Sequence, residues 1–400
     1  MSGVTSLRAF FCAAALTLAC ASLPGHAADA VPPAVGKPLQ EAERLIKSGR
    51  GREALAKVSE AEAAAKTPNE KTLVLKMRGA AASAAGDNDA AIRAYEAVLN
   101  SGGASGREAV TMTQAIAVGY YKKKDYAEAA KWTQRYFKEG GNDNAMRQML
   151  LQTYYLQGDC AAVDKAVNEN RASETELQMM EDCYRRRGDT AGYVKAMEAL
   201  VVNYPKKEYW TILLTNVQKK PGFSDRLSLD VYLLRMATNN LTSASDYMEA
   251  AQLAVQAGLP ALGKVIMDRG YSSKVLGNGA EAARQGRLRD LVEKTLAQAQ
   301  KSRAQDEKEA AAAKDGTQLV NIGLNYIYEG KADKGVPLVQ QGIKKGGLKR
   351  PEDAKLHLGI AQLVAGDKAK AQATFKSVQG TDGTTDLARL WMLHSRRGAA

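Results

Sequence analysis

HLGIAQLVAGDKAKAQATF, residues 357–375, is the stretch on which the fold turns. Two runs with helical apolar spacing flank Gly366-Asp367. Small residues sit at set places in both runs: Gly359 in the first, and Ala369, Ala371 and Ala373 in the second. Glycine ends a helix by taking up left-handed backbone, and aspartate accepts from the first free N–H groups of the next helix. The stretch reads as two helices joined by a tight turn. Gly359 and Ala371 let the axes approach, and Phe375 fills the space beside them.

The marker recurs. Gly86-Asp87, Gly158-Asp159 and Gly188-Asp189 repeat it, and Lys124-Asp125 and Gly330-Lys331 are degraded copies. From Gly86 the next markers lie 38, 34 and 30 residues on, and Gly330 to Gly366 is 36. Seven residues before the marker stands a small residue: Ala42, Gly79, Ala117, Gly323, Gly359. Five after it stands another: Ala54, Ala91, Ala129, Gly335, Ala371. Tyrosine recurs four before it (Tyr120, Tyr154, Tyr184, Tyr326), and a larger apolar group nine after it (Tyr95, Met197, Val339, Phe375). A period near 34 with two helices per unit predicts stacked helix pairs, an all-α chain. Composition agrees: 45% apolar, 25% charged, only 6% aromatic, 10 prolines, and hardly any period-2 runs.

This pattern resembles the tetratricopeptide repeat (TPR) family, most clearly in AIAVGYYKKKDYAEAAKWTQRYF (Ala115 to Phe137) and LHLGIAQLVAGDKAKAQATF (Leu356 to Phe375). The family's aromatic near the start of the first helix is mostly missing. Val163 and Tyr193 replace the small residue in two units. The resemblance implies a TPR-like α-solenoid of antiparallel helix pairs, with repeats starting near Val35, Thr72, Val110, Asn144, Glu174, Gly316 and Glu352.

The first residues stand outside that pattern. Arg8 is the only charge before Asp29, an apolar run extends from Ala9 to Leu23, Pro24-Gly25 breaks it, and GHAADA follows. The run is too short to span a bilayer comfortably and reads as a secretory signal peptide cut after Ala27, with Ala30 the other candidate. An uncleaved anchor is the alternative; a lipoprotein reading through Cys20 is weaker, since Thr17 stands where Leu is expected. No second apolar run reaches membrane length. The expected setting is periplasmic or secreted. Net charge is +12 for the whole chain, and removing 1–27 takes away one Arg and no acid. In an exported protein this basic excess suits anionic polymers or lipid surfaces better than nucleic acid.

The organisation expected is a signal peptide at 1–27, an N-terminal TPR-like array at 28–207, a divergent helical segment at 208–280, a charged Ala-rich linker helix at 281–314, and a C-terminal TPR-like pair plus capping helix at 315–400. The linker helix is rich in Ala, Gln, Lys, Arg and Glu and is the best hinge candidate. TDLARLWMLHS, Thr385 to Ser395, is the capping helix.

Cys12 and Cys20 leave with the signal, so Cys160 and Cys183 remain as an even pair in an oxidising compartment. TPR-like stacking brings the start of one second helix against the end of the next first helix, which implies a disulfide between them; a loop of this length stabilises by roughly 3 kcal/mol in the chain-entropy model. Two buried thiols are the alternative.

Catalytic signatures are missing: there is no G-x-S-x-G, P-loop or H-E-x-x-H. His357 and His394 are the mature chain's histidines and lack a neighbouring acid cluster in sequence, so no metal and no cofactor is expected. What remains is surface. The resemblance places the first helices along a concave groove. Gln114, Gln148 and Gln178 fall at their fifth position, Tyr121, Tyr155 and Arg185 at their twelfth, and Gln152 one turn after Gln148. Amide side chains can donate to and accept from an extended peptide backbone, and tyrosine supplies flat apolar area. Exposed Gln is also simply a good helix former. Tyr120, Tyr154 and Tyr184, one residue earlier, match the family's packing position. The Lys and Asn of a carboxylate clamp are missing. The function expected is a non-enzymatic scaffold that binds protein or peptide segments in the bacterial cell envelope. The alternative is an accessory module binding an anionic envelope polymer, peptidoglycan or polysaccharide, through its basic surface.

Overall fold

The computed structural model describes residues 31–169 and 171–396. The expected signal peptide, its cleavage points at Ala27 and Ala30, and Cys12 and Cys20 lie outside the described residues. Regular structure among the described residues is all helical, and consecutive helices pack as pairs. The chain is an all-α array of TPR-like helix pairs. It divides into two compact units, one ending at Asn168 and one starting at Glu169.

The first unit holds α1 (Pro33–Lys47), α2 (Gly51–Ala64), α3 (Pro68–Ala85), α4 (Asn88–Asn100), α5 (Gly106–Lys122), α6 (Tyr126–Lys138), α7 (Asn144–Gln157) and α8 (Cys160–Ala166). The turns are built as the marker predicts. Asp87, Asp125 and Asp159 accept from the backbone N–H three residues on at 2.9, 3.2 and 3.0 Å. Where the marker lacks glycine, Lys124 itself adopts φ 64°, a conformation that costs a non-glycine residue about 1 kcal/mol or more. The crossings depend on missing side-chain volume: a Cβ on Gly79 would lie 2.4 Å from the ring of Tyr95. One core gathers Val35, Leu39, Ala42, Ala54, Val58 and Val74. A second gathers Tyr95, Met112, Ile116, Trp132, Tyr136 and Met149. The unit's last helix has only 7 residues and stops where Val167 turns to extended backbone. The division between units therefore falls inside the segment 28–207 that the sequence presents as one array.

The second unit starts with α9 (Glu174–Arg186) and α10 (Thr190–Asn203), then α11 (Lys207–Gln218) and α12 (Ser228–Ala237), the last entered through a single 3-10 turn at Asp225–Leu227. α13 (Ala244–Gln256) and α14 (Pro260–Ser272) pack as a further pair, with Gly258 in the turn and Ala251 and Gly263 buried at the crossing. α14 has no side-chain cap of its own. The buried amide of Asn325 replaces it, accepting from Ala261 N–H at 3.1 Å and donating to Gly258 O at 2.8 Å. A capping group thus comes from a residue 64 positions away.

The long helix expected before the C-terminal repeats is α15 (Ala282–Ala312). It packs on α13 and α14 and on α16 (Thr317–Tyr328). Leu288, Val292 and Leu296 bury an apolar stripe at i, i+4, i+8. Its second half is tied down by Arg303, which donates to Glu329 through two bonds of 2.6 and 2.7 Å and lies 4.6 Å from the centre of the Tyr326 ring. A helix held along both halves is not the free hinge that its composition suggests. α17 (Ala332–Lys345), α18 (Pro351–Val364), α19 (Lys368–Lys376) and α20 (Thr384–Arg396) complete the chain. In the opening stretch, a Cβ on Gly359 would lie 2.4 Å from the Phe375 ring, and Asp367 caps α19 through Lys370 N–H at 3.0 Å.

The second unit closes on itself, since α20 packs on α18 and α19 and also on α10 and α12. Charged side chains line the closure. Arg226 donates to Asp353 at 2.7 and 3.0 Å and to Asp382 at 2.7 Å; Lys220 reaches Asp386 at 2.6 Å and Arg389 reaches Glu198 at 2.6 Å.

Candidate functional site

The candidate residues on the first unit fall on two helices. On α5, Gln114 and Tyr121 are seven apart and share a face; both are half-buried. Tyr121 packs edge-on against Tyr126 with ring centres 5.8 Å apart, and burial raises its hydroxyl pKa. On α7, Gln148, Gln152 and Tyr155 line one face. Gln148 is exposed, and Gln152 and Tyr155 are half-buried. Lys76 of α3 pairs with Glu108 of α5 at 2.7 Å.

The tyrosines at the packing position bond to neighbouring helices. Tyr120 donates its hydroxyl to Glu96 on α4 at 3.1 Å, and burial together with that carboxylate pushes its pKa up to about 12. Tyr154 accepts from Gln134 on α6 at 2.7 Å. Tyr326 donates to Glu307 on α15 at 2.6 Å. Each of these reaches back to the preceding helix. All four tyrosines, Tyr120, Tyr121, Tyr154 and Tyr155, are half-buried, and Tyr120 and Tyr121 both pack against the same core.

Gln178 and Arg185 belong to the second unit and are already engaged there. Gln178 donates to the Tyr209 hydroxyl at 2.8 Å, and that hydroxyl bonds the Glu174 carboxylate. Arg185 pairs with Asp182 and Glu181 on its own helix. Cys160 and Cys183, both buried, are both disulfide-bonded.

A buried polar cluster in the second unit has no counterpart in the sequence reading. His357 Nε2 lies 2.8 Å from Asp230 Oδ1, which joins α18 to α12. Burial opposes charging the imidazole, but Asp230, its hydrogen bond and Asp353 together raise the His357 pKa above its ordinary value. Burial and then the Asp230 charge push the Tyr328 hydroxyl up as well. Asp230 and His357 are 127 residues apart, so no local pattern announces the pair. Between α10, α19 and α20 lies an open cavity of about 420 Å³, lined by Glu198, Phe375, Lys376, Arg389, Met392 and Arg396 among others. Burial raises the Glu198 pKa against the pull of Arg389. Among the described residues no group of three or more His, Cys, Asp or Glu is placed to hold a metal ion, and no helix is long and apolar enough to cross a membrane.

No family model matches the chain, and no curated protein does. Solved structures overlap it partially. The structure of Naa15/Naa10 bound to HypK-THB aligns at 14% identity and TM-score 0.32, over 87% of this chain and 58% of that one. Yeast Tom70 aligns at 11% identity and TM-score 0.26, over 90% of this chain and 95% of that one. The APC/C hetero-tetramer Cut9-Hcn1 aligns at 13% identity and TM-score 0.24, over 80% of this chain and 66% of that one. The array's likeness to tetratricopeptide repeats stands on the caps and crossings described above.

Proposed function

We propose that the chain is a non-enzymatic scaffold, exported to the bacterial cell envelope, that holds an extended protein segment along the first-helix face of its first unit. One observation carries the reading: amides and tyrosines share one face on each of two first helices, Gln114 with Tyr121 on α5 and exposed Gln148 with Gln152 and Tyr155 on α7. Tyr120 and Tyr154 are committed to packing by hydroxyl bonds to the preceding helix. Tyr121 and Tyr155 lie partly open on the faces that carry Gln114, Gln148 and Gln152. Amides pair with a peptide backbone in both directions, and a half-open tyrosine offers apolar area at low entropic cost. Gln178 and Arg185 join the ligand only by exchanging the partners they hold in the second unit.

The test is a selection of peptides of about 12 residues against the full chain, followed by titration of the best binder. Gln148→Ala with Tyr155→Ala is expected to weaken it at least tenfold, about 1.4 kcal/mol. Affinity is expected to change less than about threefold between 0.05 and 0.5 M salt, because such contacts are only weakly screened. An unchanged affinity in the double variant contradicts the site. A steep salt dependence favours the anionic-polymer alternative instead. Export is tested separately by the mass of the chain recovered from the expressing cell, which should lack residues 1–27 or 1–30.

A further inference from the structure

The second unit carries a surface of different chemistry. Two of its turns lie against each other: Lys314 to Gly316 before α16, and Gly346 to Arg350 before α18. Gly316 N–H donates to Gly346 O at 2.9 Å, and a Cβ on Gly347 would lie 2.7 Å from Cβ of Asp315. Lys314, Lys344, Lys349 and Arg350 are all exposed on these turns or at the last turn of α17. None of their side chains has an ion pair or hydrogen bond with a described residue. Lys345, in their midst, is spent structurally, donating to Ala310 O at 2.9 Å and Ala311 O at 2.8 Å at the end of α15.

The nearby acids bond elsewhere, two of them to neutral groups and two to other cations. Asp315 caps Thr317 N–H at 2.8 Å and Glu309 accepts from Gln305 at 2.7 Å. Glu352 holds Lys355 at 2.8 Å and Gln379 N–H at 2.7 Å, and Asp353 holds Arg226. Lys314, Lys344, Lys345, Lys349 and Arg350 thus gather on two touching turns and the end of α17 against the charges of Asp315 and Glu309, and their excess raises a local positive potential.

We propose that this patch binds a linear polyanion, and that it does so independently of the peptide face on the first unit. The cations sit on touching turns and are exposed, so they can meet successive charges along a chain. Among the described residues the exposed large apolar ones are Val31, Leu156, Ile212, Val265, Leu291 and Val364, and none lies on these turns. A bilayer-binding surface gains much of its affinity from apolar insertion; this one offers only the half-buried Leu348, which favours a polymer over a lipid surface.

The experiment uses the full chain and labelled polyphosphate of defined length at about 50 mM salt, with uncharged dextran as control and vesicles containing anionic phosphatidylglycerol in a parallel arm. Lys344→Glu/Lys349→Glu/Arg350→Glu is compared with Lys37→Glu/Arg52→Glu/Lys71→Glu, which changes net charge equally at exposed positions of the first unit. The patch variant is expected to lose at least tenfold in affinity and to flatten the salt dependence by about 3 in log–log slope, while the control loses less than about threefold. Both variants should keep the parent's helical circular dichroism and urea midpoint. Equal loss in the two variants overturns the patch, because net charge then suffices. Absent polyphosphate binding by the parent overturns it as well. Vesicle binding that exceeds polymer binding and is lost in the patch variant overturns the polyanion in favour of a lipid surface.

Discussion

Gly359 shows what a single position does in this chain. Its missing side chain is the room in which the Phe375 ring lies, and the same relation holds between Gly79 and Tyr95 and between Gly323 and Val339. Gly359→Ala is expected to destabilise the second unit by about 1–2 kcal/mol: overpacking costs roughly 1–3 kcal/mol and is offset in part by alanine's better helix propensity. Adding Phe375→Leu should recover part of the loss; urea unfolding followed by Trp210 and Trp391 fluorescence reads both. Asp230 and His357 are the other decisive pair. Asp230→Ala leaves the His357 imidazole without its hydrogen-bond partner and should cost about 1–3 kcal/mol. Because the folded state raises the His357 pKa, its contribution is fully present below the unfolded histidine value and is lost as pH rises through the folded value. The parent's urea midpoint should therefore fall, relative to His357→Gln, as pH rises above the ordinary histidine value, and the His357→Gln midpoint should lack that component. The glycines and capping aspartates were legible because they recur at fixed spacing. The histidine was not: its partner is fixed by closure of the unit, and nothing near residue 357 encodes Asp230.

At the scale of elements, the aspartate caps and α15 make opposite points. Asp125 caps α6 beside a lysine in left-handed backbone, so Asp125→Ala should cost about 1 kcal/mol, with Lys124→Gly stabilising by up to a similar amount. Chemical denaturation of the two variants checks both signs. α15 reads in sequence as a solvated, charged helix because its apolar stripe is sparse: Leu288, Val292 and Leu296 are diluted among Lys, Arg, Gln and Glu. Its anchoring comes from Arg303, whose guanidinium is nearly enclosed between Glu329 and Tyr326. A buried arginine of this kind is indistinguishable from a surface one in a single sequence. Arg303→Ala should cost roughly 3 kcal/mol and raise amide exchange in the second half of α15 and in α16, while α18 to α20 stay protected. Exchange confined to chain ends would contradict the anchoring role.

At the scale of the molecule, repetition made the stacked pairs readable, while the division at Asn168 and the return of α20 onto α10 and α12 were not. Both depend on where the repeats stop matching: a shortened α8 in one case and a long-range set of ion pairs in the other. The tyrosine and glutamine rows were visible as positions, but the hydroxyl bonds from Tyr120 to Glu96 and from Gln134 to Tyr154 were not, because their partners lie on the preceding helices. Since Cys160 and Cys183 are disulfide-bonded, thiol titration of unfolded, unreduced mature protein should find no free thiol. The central claim is that the first-helix face of the first unit carries the ligand. A photo-crosslinking amino acid placed at Tyr155, and separately at exposed Lys131 on α6, tests it most directly with a selected peptide bound to the full chain. The account predicts a covalent peptide adduct from position 155 and none from 131. Equal labelling at both, or labelling at 131 alone, would contradict it.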